Sequence, residues 1–172
     1  LAKLAGVKYV VFTTKHHNGF TMYRSKTTPF GIQSTPFQRD LHGEVMDAFR
    51  RQGIAPGIYY SPDDFLYLHQ KGIPIQRNIP GVAPANVPGL LAYDQEQLRE
   101  LYTNYGNVDV VVFDGPPEGL SELAWKLQPD TVVTRGAIAT PEQYVPGAQI
   151  EGPWESCITM GTQWQYKPTH DV

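Results

Sequence analysis

The chain has 172 residues, 41% of them hydrophobic and 18% charged, which suits one folded domain rather than a disordered segment. Fourteen Lys and Arg against 17 Asp and Glu give a formal net charge of −3, so no basic face for nucleic acid is visible. No run approaches the roughly 18 apolar residues of a membrane span, and a single cysteine, Cys157, excludes an internal disulfide framework and a thiolate-only zinc site.

The chain opens on Leu1 to Gly6, which reads as a helix C-terminus closed by glycine, and stops at Val172 without a capping pattern. We read it as a piece of a longer chain, with a processed mature start as the alternative. Lys8 to Thr14 is a short apolar run of the kind buried on both faces in a parallel sheet. Asp40 to Gln52 places Leu41, Val45, Ala48 and Phe49 on one helical stripe, ended by Gly53. Ile54 to Ser61 is the next strand, its Pro56 and Gly57 tolerable near a strand start. Asp63 to Pro88 holds five proline-marked breaks counting Pro62 and little periodicity, so it reads as a long ordered loop or lid. A helix resumes over Tyr93 to Tyr105. Val108 to Phe113 is a third strand, Leu120 to Leu127 a short helix, and Thr131 to Thr134 a fourth strand followed by loop.

Strands alternating with helices imply βαβ units and a parallel sheet. There is no G-x-G-x-x-G turn for a dinucleotide and no G-x-S-x-G nucleophile elbow. Polar residues do follow each strand: His16-His17, Ser61-Pro62-Asp63-Asp64, Asp114-Gly115 and Arg135-Gly136. A (β/α)8-like barrel builds its active site from such strand ends, and a doubly wound sheet shares the placement. We favour the barrel, with His16, Ser61, Asp114 and Arg135 opening at one end.

Three groups of residues carry chemistry. His16 and His17 follow a strand, where a turn can bring adjacent imidazoles together to hold two hydroxyls of one ligand. A structural role and metal binding are the rivals, but two histidines offer too few ligands for zinc, and we expect no metal there. Asp114 ends an apolar run, where a carboxylate is poorly solvated unless paired. It is either a nucleophile or base, or a helix cap before Gly115-Pro116-Pro117. Asp63 and Asp64 are comparably placed, and a structural or surface role suits them at least as well. The C-terminal third adds Arg135, Glu142, Glu151 and Glu155 with Trp154, Trp164 and Tyr166. Carboxylates, aromatic platforms and paired histidines together suggest a sugar ligand. Hydrolysis of a glycoside needs two carboxyls, about 5 Å apart in a retaining enzyme, and three glutamates compete to partner Asp114.

These residues resemble glycoside hydrolase family 29, the retaining α-L-fucosidases. The motifs agree in order: Ala5-Gly6 with Tyr9, Thr14-Lys15-His16-His17-Asn18-Gly19-Phe20, Arg39-Asp40-Leu41, Gly57-Ile58-Tyr59-Tyr60-Ser61, Phe113-Asp114-Gly115, Thr140-Pro141-Glu142-Gln143 and Trp154-Glu155-Ser156-Cys157. The resemblance implies an α/β fold, the middle-to-late part of a (β/α)8-like TIM barrel over residues 1–172, with the family's following β-sandwich domain absent. It implies Asp114 as nucleophile, His16 and His17 on sugar hydroxyls, Tyr60 of the YYS block and Trp154 lining the same pocket, and Arg135 ahead of the acid/base loop. Either Glu142 or Glu155 matches the acid/base, and Glu151 matches no motif. Two features depart from the family. Val112 stands where a bulky aromatic is usual, and Trp164-Gln165-Tyr166 replaces W-G-Y. The activity implied is exo-hydrolysis of terminal α-L-fucosyl linkages on a fucosylated oligosaccharide or glycoconjugate, with no cofactor and no nucleic-acid partner, in a secreted, periplasmic or lysosomal setting. The alternative is a non-catalytic or altered-specificity carbohydrate-binding relative.

Overall fold

The computed structural model describes residues 1–135, 137–159 and 161–164. Gly136, Gln165 and Tyr166 of the motifs above lie outside the described residues. The chain forms two compact units, Leu1–Val133 and Thr134–Val172.

The first unit opens on one helical turn, in which the Ala5 N–H donates to the Leu1 carbonyl at 3.0 Å, ended by Gly6 at φ 76°. Four strands follow, β1 (Tyr9–Lys15), β2 (Ala55–Tyr60), β3 (Val110–Phe113) and β4 (Val132–Thr134), and the sheet keeps them in chain order. β1 pairs with β2, and β2 with β3, in parallel. A doubly wound sheet reverses direction at a switch point, whereas strands laid down one after another are how a barrel is wound. The structure is therefore a partial (β/α)8 barrel, as the sequence pattern implies.

The helices are α1 (Leu41–Arg51), α2 (Phe65–Gln70), α3 (Leu90–Asn104) and α4 (Ser121–Leu127), of which α1, α3 and α4 pack on one face of the sheet. Asp40 caps α1 by accepting the Gly43 N–H at 3.0 Å, with Arg50 and Arg51 in the last turn where the helix dipole favours them. Ile58, Tyr60, Val111 and Phe113 point from the sheet into the helices and pack with Met46, Leu98, Leu101, Leu120 and Ala124 as the main core. By strand alternation Tyr59 and Val112, paired across β2 and β3, belong to the opposite face.

Asp63 to Pro88, read as a long ordered loop or lid, contains a helix. Asp64 accepts the Tyr67 N–H at 2.9 Å and starts α2, whose Leu68 packs with Val82, Val87 and Leu90 as a second small core. The prolines of this stretch all lie outside the six residues of α2, so none interrupts the helix. Likewise α3 begins at Leu90, earlier than the expected Tyr93, behind Gly89 at φ 82°. Among the described residues no helix is long and apolar enough to cross a membrane.

Candidate active site

β1 ends at Lys15, and a tight turn brings the next residues back, the Gly19 N–H donating to the His16 carbonyl at 2.9 Å. The turn is clamped from the side. The Phe65 N–H donates to the His17 carbonyl at 2.7 Å, and Gly19 approaches Asp64 so closely that a Cβ there would lie 2.5 Å from its Oδ1. The two imidazoles consequently meet edge to face at 4.7 Å. Turning the chain, rather than extending the strand, is what lets adjacent histidines share one site.

Asp114 follows β3 directly and is nearly buried. His17 Nε2 lies 2.9 Å from its Oδ2, and the Tyr59 hydroxyl donates to the same oxygen. Arg77 Nη2 donates to Oδ1 at 3.0 Å. Burial pushes the Asp114 pKa up, but the hydrogen bonds from His17 and Tyr59 and the Arg77 charge outweigh it and hold the carboxyl well below the usual range. The helix-cap reading of Asp114 fails, because Leu120 occupies the N-cap of α4. His16 is exposed and stacks on the Tyr59 ring at 5.6 Å, and its pKa is lowered by partial burial and the neighbouring His17. An anionic carboxylate, an exposed imidazole and a tyrosine thus share one end of the sheet.

Tyr60 is not at this site. It is fully buried, and its hydroxyl donates to Asp94 Oδ1 at 2.6 Å and Gln97 Oε1 at 2.8 Å on α3. The physical reason is strand alternation: consecutive residues of β2 face opposite ways, and the one beside Asp114 is Tyr59. Tyr60 instead joins a buried charge cluster. The Lys15 ammonium lies 4.4 Å above its ring and pairs with Asp64 at 3.2 Å and Asp94 at 3.0 Å, all three charges buried. Burial opposes charge on Lys15, yet Asp94 and Asp64 hold its pKa up; burial also raises Asp94, to about 6, despite the lysine. Asp64 is therefore structural. Asp63 is fully buried, and neither carboxyl oxygen has a well-formed hydrogen bond among the described residues.

His16, His17 and Asp114 present donor atoms within 4.8 Å of one another, so these three could in principle hold a metal ion. The donor set argues against one. Both oxygens of Asp114 already accept hydrogen bonds, and the Arg77 guanidinium beside them repels a cation. Arg77 was not legible beforehand, since nothing in the proline-rich sequence marks one arginine as reaching a strand end.

The second unit carries the remaining candidates. Arg135 follows β4, has φ 51°, and its Nη2 donates to Glu142 Oε2 at 3.0 Å. Two segments run side by side in parallel, with Ala139 bridged to Trp154 and Glu142 to Cys157. The Glu155 N–H donates to the Ala139 carbonyl at 3.0 Å and the Cys157 N–H to that of Pro141 at 3.0 Å. The TPE and WES motifs are therefore neighbours within this unit. Trp154 keeps 41% of its surface exposed, Trp164 is exposed, and Glu151 is exposed in a bend before them.

Comparison with known proteins places the chain in a family. The sequence pattern of the family described as Alpha-L-fucosidase matches residues 1–172. Among solved structures, α-L-fucosidase isoenzyme 1 from Paenibacillus thiaminolyticus is 34% identical, with a TM-score of 0.81 over 98% of this chain and 49% of its own. The α-L-fucosidase AlfC from Lactobacillus casei, in complex with α-L-fucose product, is 28% identical, with a TM-score of 0.60 over 77% and 48%. The tissue α-L-fucosidase of Mus musculus is 28% identical over 97% of this chain and 41% of its own length. This chain spans less than half the length of each of these three relatives. With a family pattern that covers every residue and a sheet that superposes on solved members, the chain belongs to glycoside hydrolase family 29, the α-L-fucosidases.

Proposed function

We propose that the protein carrying this chain is a retaining exo-α-L-fucosidase, acting on terminal α-L-fucosyl linkages of a fucosylated oligosaccharide or glycoconjugate through a covalent glycosyl-enzyme intermediate. In this reading residues 1–172 are part of its catalytic barrel, and the family's β-sandwich lies outside them. The observation that carries it is Asp114, an almost buried carboxylate kept anionic by three donors at a strand end. A nucleophile must be ionised when the sugar arrives, and these donors supply that condition. A purely binding relative has no need of a depressed carboxyl pKa, so the site favours catalysis.

In this reading Asp114 attacks the anomeric carbon, and a second carboxyl protonates the departing oxygen. Glu142 and Glu155 remain the candidates for that acid, which then serves as base for the water that cleaves the ester. His16 can hydrogen-bond a sugar hydroxyl and the Tyr59 oxygen can accept from one, while within the second unit Arg135 orients Glu142 and Trp154 presents an apolar face. No metal or cofactor is required for either step.

The test is covalent trapping of the whole enzyme with a fluorinated fucosyl donor, followed by peptide mass spectrometry. The label should fall on Asp114, and Asp114→Asn should lose nearly all turnover of a nitrophenyl α-L-fucoside while remaining folded. A label elsewhere, or a near-normal rate in the variant, ends the assignment. Added azide should restore turnover of an activated fucoside in only one of Glu142→Ala and Glu155→Ala, and that one identifies the acid/base.

A further inference from the structure

Arg77 sits in the segment joining α2 to α3, its side chain 41% exposed, and reaches Asp114 Oδ1 at 3.0 Å. The surrounding chain is shaped to deliver it. Asn78, the next residue, has φ 59°, a left-handed conformation that asparagine tolerates better than most side chains. The Asn78 backbone lies near the carboxyl of Asp63 and draws its pKa down against the raising effect of burial, as do the charges of His17 and Arg77. One guanidinium is thus within electrostatic reach of two carboxyls. Among the described residues His17, Tyr59 and Arg77 donate to Asp114, whereas Asp63 is buried without a well-formed hydrogen bond. A buried carboxyl in that state calls for an explanation.

We propose that Arg77 is a further catalytic residue, which stabilises Asp114 as the leaving group when the glycosyl ester is cleaved; the inference rests on the retaining fucosidase reading above. His17 and Tyr59 both donate to Oδ2 and occupy its two lone pairs, so the bond to the anomeric carbon forms through Oδ1. In the first step an electron pair of Oδ1 makes that bond. The bond to the leaving oxygen breaks with its pair, and the acid glutamate supplies the proton. Asp114 loses its charge, and Arg77 loses its anionic partner. Asp63 is the carboxyl that remains for the guanidinium. In the second step water attacks the anomeric carbon and yields a proton to the glutamate, and the bond to Oδ1 breaks with its pair returning to Asp114. Negative charge then develops on the oxygen that Arg77 addresses. A donor fixed where charge develops lowers that barrier. The same interaction makes the resting carboxylate a weaker nucleophile, so Arg77 favours the second step over the first.

The experiment is steady-state and burst kinetics on the whole enzyme with an activated nitrophenyl α-L-fucoside, for which ester cleavage limits the rate. Arg77→Ala is expected to lower kcat about tenfold, the effect of one charge-assisted hydrogen bond. KM should fall further than kcat, so that kcat/KM at the plateau rises, and the ester at Asp114 should accumulate in mass spectra. The acid limb of kcat/KM should move to higher pH, because the Arg77 charge helps hold Asp114 ionised. Soluble guanidinium should recover part of kcat. Unchanged kinetics, or an equal fall in kcat and kcat/KM with an unmoved acid limb, would overturn the role of Arg77 while leaving Asp114 as nucleophile. A wild-type enzyme without turnover, or labelled away from Asp114, would remove the fucosidase reading and this inference with it.

Discussion

Tyr59 and Tyr60 are adjacent, chemically identical and differently employed. The Tyr59 hydroxyl supports the charge on Asp114, whereas the Tyr60 hydroxyl serves Asp94 and Gln97 behind the sheet. Their phenylalanine variants should therefore separate. Tyr59→Phe removes a donor that holds the Asp114 pKa down. In the fucosidase reading the active form is the anion, present above that pKa, so the acid limb of kcat/KM moves to higher pH. Tyr60→Phe leaves two buried acceptors short of a donor and should cost about 1–3 kcal/mol of stability without moving the limb. Paired pH–rate profiles and denaturant curves measure both, and a shifted limb in Tyr60→Phe would contradict the assignment. The sequence motif could name the YYS block but not choose within it. That choice depends on which face of β2 looks toward the helices.

Among the elements, β2 decides how closely its neighbours can pack. A Cβ at Gly57 would lie 2.8 Å from the Val110 carbonyl oxygen and 3.0 Å from that of Val10. Both obstacles are backbone atoms of flanking strands, which no rotamer change can move. Gly57→Ala should therefore destabilise the protein by about 1–3 kcal/mol, the usual cost of overpacking. Gly81→Ala is the control, since nothing lies within 4 Å of a Cβ there. Denaturant midpoints compare the two, and equal midpoints would show that the strands yield. The same elements explain the misread segment after Ser61. Its prolines signal an irregular path correctly, but α2 exists because Asp64 caps it and the second small core receives Leu68. Neither the cap's geometry nor that core is a local property.

For the molecule as a whole, the buried ionisable groups set how stability responds to pH. His42 is fully buried, Nδ1 lies 3.3 Å from the Thr14 hydroxyl, and Nε2 has no hydrogen-bond partner among the described residues. Burial lowers its pKa from 6.5 to about 4. The unfolded chain therefore takes up a proton at this residue before the folded chain does, and stability falls as pH drops through 6.5 toward 4. At pH 5 the loss is about 2 kcal/mol relative to neutral pH. Urea unfolding of the whole enzyme and of His42→Phe at both pH values should show that extra loss in the wild type alone. Identical pH dependence in the two would mean that the His42 pKa is the same in the folded and unfolded states.

The alternation of apolar runs with helical stripes was enough to place all four strands and most of the helices, because burial on two faces writes itself into consecutive residues. The motifs around His16, His17 and Asp114 likewise marked the strand ends where chemistry gathers, since a carboxylate after four apolar residues needs partners wherever the chain goes. What those partners are is another matter. The parity of Tyr59, the approach of Arg77 from a segment without periodicity, and the burial of Lys15 between Asp64 and Asp94 join residues 37 to 97 positions apart. Such pairings depend on strand register and helix packing, which are summed over the whole core and recorded in no single stretch of chain. Local composition determined the kind of fold and the residue types at its mouth. Tertiary structure alone decided which atom of which side chain touches the carboxylate.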